Sequence, residues 1–164
     1  MLDDRGIEAS DTEVRLYGER LDVAGAVPGG TPPRAVPDQL AAVWQARDRS
    51  EEAHRAAFTG LARQAELPRV GLYDALYGRT FQAAAWRLCP DALDVVRRLR
   101  EQGVRIAVVS NVGWDRRPVF DALGLTPDID ANVFSYEVGV DKPDPRIFQL
   151  ACDRLGVDPR GCGL

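Results

Sequence analysis

One stretch, residues 104–148, limits what this chain can fold into. Val104, Ile106, Ala107, Val108 and Val109 make an apolar run, interrupted only by Arg105, that ends abruptly at Ser110-Asn111. A short apolar run of this kind reads as a buried strand of a parallel sheet, with small polar groups at its C-terminal tip. Further on stands Gly139-Val140-Asp141-Lys142-Pro143-Asp144-Pro145-Arg146-Ile147-Phe148. That segment delivers a cation and then starts a helix, with Asp144 as N-cap and Pro145 in the first helical position. In open α/β sheets, ligands bind just outside the carboxyl ends of the strands. Both pieces therefore point at one pocket, and a hydroxyl, backbone N–H groups and an ammonium suit an anion.

Lys142 is the only lysine among 21 cationic residues. A codon bias toward arginine accounts for the excess as readily as function does, and a solvated loop lysine is the plain alternative. Even so, the exception falls inside the stretch already singled out, and a compact ammonium can sit on one phosphate oxygen as a planar guanidinium cannot. Ser110-Asn111 has an equally plain alternative as a simple strand end.

The flanking pattern completes a helix–strand unit. Asp91 starts an amphipathic helix with Ala92, Val95, Val96 and Leu99 on one face and Arg97, Arg98, Arg100 and Glu101 on the other, and Gly103 ends it before strand 104–109. A helix is expected over 118–123, a second strand over 132–135, and a helix from Pro145 to Leu155 stopped by Gly156. Asp128-Ile129-Asp130 follows Leu125-Thr126-Pro127 and reads as a loop. Upstream the chain is helical. A short helix is expected within 1–24, around Val14, Leu16, Tyr17 and Leu21. Gly25 to Pro37 is a Pro/Gly-rich loop. Asp38 then opens a helix bearing Leu40, Val43 and Trp44. Ser50 opens another that buries Phe58, Leu61, Ala62 and Ala65 before Pro68, and a third spans 72–77 with Gly78 as its stop. His54, on this block, reads as a surface or packing residue. The chain thus divides into a mostly helical region, 1–88, and an α/β region, 89–164.

A net charge of −4 argues against a dedicated nucleic-acid or membrane-surface binder. No apolar run approaches a bilayer span, and Met1-Leu2-Asp3-Asp4-Arg5 lacks the apolar core of a secretion signal. Cys89, Cys152 and Cys162 are an odd number without C-x-x-C spacing, which suits reduced thiols in a cytoplasmic protein.

The run VVSN, followed about thirty residues later by GVDKPDPRIF, resembles motifs two and three of the haloacid dehalogenase superfamily. The downstream Arg154-Leu155-Gly156-Val157-Asp158-Pro159 continues that resemblance, which covers roughly Pro90 to Pro159. By position and character, the helices before Cys89 are similar to the α-helical cap that many members insert between motifs one and two. The resemblance implies a Rossmann-like α/β core of parallel strands with flanking helices plus a cap, and hydrolysis of a small phosphorylated metabolite. In that chemistry a motif-one aspartate forms a covalent aspartyl intermediate that water then cleaves, with Mg²⁺ held by motif-one and motif-four carboxylates. Ser110 and Lys142 would be catalytic, the first bonding the transferring group and the second balancing its charge. Asn111 and Gly113 would line the same tip, while Trp114, Arg116 or a cap residue such as Trp44 would touch the leaving group.

The pattern departs from the family at its chemical centre. No apolar strand leads into a motif-one aspartate: Asp3-Asp4 has none before it, and motif four is not found after Val157-Asp158-Pro159. The core is therefore expected to be incomplete and the chain a truncated product or incomplete gene model, inactive alone. It should bind no metal through its own residues and Mg²⁺ at most weakly, and associate with itself through a bare sheet edge. The alternatives are a non-catalytic remnant or interaction module, a haloacid dehalogenase, and an unrelated α/β protein that meets the motif pair by accident.

Overall fold

The computed structural model describes residues 10–68 and 71–163; the acidic start with Asp3-Asp4 and the side chain of Val14 lie outside the described residues. The N-terminal part is four helices. α1 (Asp11–Val23) begins with a capping box, in which Ser10 accepts from the Glu13 N–H and the Glu13 carboxylate accepts from the Ser10 N–H. α2 (Ala41–Ala46) is short. α3 (Glu51–Arg63) starts at Ser50, whose side chain accepts from the Ala53 N–H at 3.1 Å, and Glu51 and Glu52 favour the positive end of its dipole. α4 (Gly71–Arg79) runs through Gly78, the residue expected to stop it. The next-door Tyr77 is buried between His54 and Phe81, and that packing outweighs the roughly 1 kcal/mol a mid-helix glycine costs. Leu21, Leu61, Ala62, Ala65, Leu67, Leu72 and Tyr73 form the core of this block.

The C-terminal part is the α/β unit. α5 (Ala92–Glu101) leads to β1 (Ala107–Ser110), and α6 (Arg117–Ala122) to β2 (Ala131–Phe134). After β2 come α7 (Ser135–Val138) and α8 (Pro145–Leu155). The strands are parallel, with Ala107 opposite Ala131 and Ser110 opposite Phe134. Each lies slightly off its expected span. β1 starts later and takes in Ser110, because the Ile106 carbonyl is spent on the N–H groups of Asp130 and Ala131 where the chain enters β2. Ser135, expected in the second strand, instead opens α7.

Strand side chains alternate between faces, and two cores result. Val133 meets Ile147 and Ala151 of α8 on one face. Phe134 meets Val112, Trp114 and Val119 on the other. Helices thus lie on both sides of a parallel pair, as the sequence pattern requires. Asp144 caps α8 by accepting from the Arg146 N–H, and Gly156 closes it at φ 65°. The Asp128-Ile129-Asp130 segment is structural. Asp128 ends a 3-10 turn, and Asp130 accepts from Arg100 and from the Ile106 N–H, which together hold its carboxyl below the usual range.

Among the described residues each strand has one strand neighbour. The amphipathic α5 buries none of its residues: Val95 and Leu99 on its apolar stripe stay exposed, as does Val104 beyond it. Burial therefore ranks the apolar positions. Ile147→Ala, at a side chain with no exposure, should cost about 2–5 kcal/mol, whereas Val95→Ala should stay within about 0.5 kcal/mol. Urea midpoints of the two variants check this, and equal shifts would contradict the packing described.

Candidate functional site

Everything at the tip of β1 hangs on side chains that bond backbone across long loops. Asn111 makes two such bonds. Its Nδ2 donates to the Lys142 carbonyl at 2.9 Å, and its Oδ1 accepts from the Lys142 N–H at 2.7 Å. The loop before α8 is thereby fixed beside the strand tip. The Lys142 Nζ donates to the Val109 carbonyl at 3.1 Å, which places the ammonium one residue from Ser110. An ammonium has three N–H donors, so two remain for an anion. Among the described residues the Ser110 hydroxyl has no hydrogen-bond partner either. Ser110, Asn111 and Lys142, singled out from sequence, are thus brought together.

The helical block is seated on the same tip. Ser135, with no exposed surface, accepts from the Val112 N–H at 2.8 Å and donates to the Asp48 carbonyl in the loop between α2 and α3. Gly113 closes the junction. A Cβ there would fall 2.5 Å from the His54 Cβ, 2.6 Å from the Arg47 carbonyl and 2.8 Å from the Ser50 carbonyl, so only glycine permits the approach. Arg49 pairs with Asp141 at 3.1 Å across the same boundary.

The other residues expected to touch substrate sit differently. Gly113 is buried in that junction rather than lining open space. Trp114 is 3% exposed, packed on Phe81 and Trp86, with its Nε1 unpartnered. Arg116 stacks over Trp86, its Cζ 4.7 Å from the ring centroid. Trp44 packs edge-on against Phe58 beneath the Arg47 guanidinium. Asp48 and Ser135 are not among the site residues expected from sequence: 87 residues separate them, and no chemical motif contains either.

Charge around the tip is mostly positive. Burial pushes the Asp48 carboxyl up; Arg47, 3.3 Å away, opposes that, the Asp141 charge adds to it, and Arg116 and Lys142 oppose it. His54 is buried, with Nδ1 2.8 Å from the Tyr77 hydroxyl. Burial lowers its pKa to about 4, helped by Arg116 and Arg47. The ring is therefore neutral at pH 7 and serves as packing.

Mg²⁺ demands a near-octahedral set of oxygen donors. Among the described residues no group of three or more His, Cys, Asp or Glu is placed to hold a metal, and Asp48 and Asp141, at the junction beside the tip, are each paired with an arginine. These residues do not fit the ion, and no step is routed through it. The thiols of Cys152 and Cys162 lie 3.2 Å apart, both free, far along the chain from this site.

His54 gives the site a pH signature. Its folded pKa is depressed below the unfolded value near 6.5, so its contribution is complete above that value and is lost as pH falls toward about 4. The shift corresponds to roughly 3 kcal/mol. Stability measured by urea unfolding should fall steadily from pH 6.5 to pH 4, and His54→Gln should flatten that slope. An unchanged slope in the variant would refute the assignment.

Comparison with known proteins gives these features relatives. A family model described as haloacid dehalogenase-like hydrolase matches residues 10–162. Over 129 residues the chain is 34% identical to (S)-2-haloacid dehalogenase 4A of Burkholderia cepacia, a match covering 77% of this chain and 51% of that protein. Over 71 residues it is 38% identical to glyceraldehyde 3-phosphate phosphatase of Methanopyrus kandleri, covering 43% of this chain and 30% of the other. A crystal structure of a dehalogenase superposes with a TM-score of 0.58 at 25% identity, over 88% of this chain and 67% of that one. The chain thus spans about half the length of the first of these curated relatives and less of the second.

Proposed function

Because the chain belongs to the haloacid dehalogenase-like hydrolases, we propose that the tip of β1 is the anion-holding half of a phosphate-ester hydrolase site for a small phosphorylated metabolite. The observation that carries this is the Lys142 ammonium, held 3.1 Å from the Val109 carbonyl beside the unpartnered Ser110 hydroxyl. In this reading Ser110 donates to a phosphoryl oxygen, and Lys142 balances the charge that develops there. Asn111 is a positioning residue, because both its bonds go to the Lys142 backbone. A family aspartyl intermediate needs a carboxylate in line with the phosphorus. Among the described residues neither strand ends in an aspartate, so no residue here is assigned that attack. The described residues are proposed to bind the anion without turning it over. A second reading is favoured by the extent of the match to the Burkholderia dehalogenase: the carboxylate of a 2-haloacid would occupy the same cradle.

Titration of the intact chain with inorganic phosphate, followed by calorimetry, tests the proposal. Lys142→Ala, which removes a charge-assisted contact worth about 1.5–3 kcal/mol, should weaken binding by about tenfold or more. Absence of phosphate binding, or binding indifferent to this substitution, would sink it.

We further propose that copies of the chain associate through the edge of β1 that has no strand partner among the described residues and the exposed stripe of α5, since unpaired strand edges and apolar patches seek partners. Sedimentation velocity should show mass rising with protein concentration, and Val95→Lys combined with Leu99→Lys should return the chain to monomer. A single monomeric species at every concentration would overturn this.

A further inference from the structure

Resting on the phosphate-binding reading above, we propose that Arg116 holds a carboxylate of the same ligand, so that the chain prefers a phosphorylated carboxylic acid to a simple phosphate ester. Arg116 is a half-buried cation with no counter-ion of its own among the described residues. Its guanidinium lies over two neighbouring indole rings, its Cζ 4.7 Å from the centroid of Trp86 and 5.6 Å from that of Trp114. Neighbouring Arg47, Arg49 and Arg117 each reach a carboxylate. Arg116 makes no ion pair or hydrogen bond with the described residues. Asp48 influences it electrostatically but is turned to Arg47 at 3.3 Å. A buried charge without a partner is costly, and burial accordingly holds this guanidinium below its ordinary pKa.

The geometry says which end is open. The Nε is sealed from solvent and unpartnered, whereas the terminal nitrogens, equally unbonded, are not sealed. The two parallel N–H groups of a guanidinium fork match a carboxylate, and the aromatic faces keep that fork from swinging. Arg116 stands six residues beyond Ser110, at the N-cap of α6. The Asp48 carboxyl feels both Arg116 and Lys142. Its backbone carbonyl is tied through Ser135 to Val112, two residues beyond Ser110. Arg116 and Lys142 thus both act on the Asp48 carboxyl, and in this proposal a ligand with two anionic ends spaced by a short linker spans them.

Non-hydrolysable probes test this without turnover. The intact chain is titrated calorimetrically with methylphosphonate, phosphonoacetate and 3-phosphonopropionate. The better of the two carboxylate-bearing probes should bind about tenfold more tightly than methylphosphonate. Arg116→Gln should abolish that advantage while leaving methylphosphonate affinity within about twofold, whereas Lys142→Ala should weaken all three probes. If the native chain shows no carboxylate advantage, this inference falls and the phosphate reading stands. If Arg116→Gln weakens methylphosphonate equally, Arg116 acts only on structure and the inference again falls. If no phosphonate binds, both fall. Should Arg116→Gln fail to fold, Arg116→Lys decides the matter, because it keeps a charge over Trp86 but loses the fork. Its advantage should drop severalfold, and an undiminished advantage would overturn the proposal.

Discussion

The Ser135 hydroxyl joins the two halves of the molecule. It lies at the end of β2 with no exposed surface, accepts from the Val112 N–H and donates to the Asp48 carbonyl. Both groups would otherwise be backbone polar atoms at a packed boundary, where an unmade hydrogen bond costs about 1–3 kcal/mol. The loop at Asp48 is thereby laid against the strand tip, and this is what brings Gly113 under His54 and Arg49 onto Asp141. The junction is polar at its centre, and beside it the Phe81 and Trp86 rings pack edge-on or tilted against Trp114.

A second tie of the same kind organises the chemistry. Asn111 holds the Lys142 backbone by two bonds, so the ammonium is aimed by the strand rather than left to the rotamers of a long side chain. The surroundings raise the value of that placement. Asp48, the half-buried carboxyl nearby, is pushed up by burial, and His54 stays neutral. The Asp48 charge is balanced by Arg47 at 3.3 Å, and the neutral His54 ring adds none. A preorganised, mostly cationic tip stabilises charge on a ligand more than the same groups would in water.

The elements closest to regular patterning were the most legible. Asp144-Pro145 marks the start of α8, Ser50 that of α3, and the apolar run places β1, whose end at Ser110 is one residue beyond the expected limit. Errors fell where a tertiary contact competes with a local signal. Gly78 reads as a helix stop and is overridden by the packing of Tyr77. Ser135 reads as strand and is drawn into a helix start by its bonds to Val112 and Asp48. α5 has the clearest amphipathic pattern and yet buries nothing among the described residues; periodicity reports a face that wants cover, not whether cover is present.

The sequence by itself determined the α/β pairing, the helical region before it, the family, and the convergence of Ser110, Asn111 and Lys142. Those depend on residue types with strong local preferences and on a motif pair about thirty residues apart that the parallel pairing brings to one tip. Only the tertiary structure decided that Asp48 enters the site, that Gly113 is a contact rather than a lining residue, that Trp114 is core, and that Arg116 has no counter-ion among the described residues. Each of those outcomes depends on which groups meet across tens of residues of intervening chain. Burial and charge compensation are properties of that meeting and leave no periodic trace along the chain.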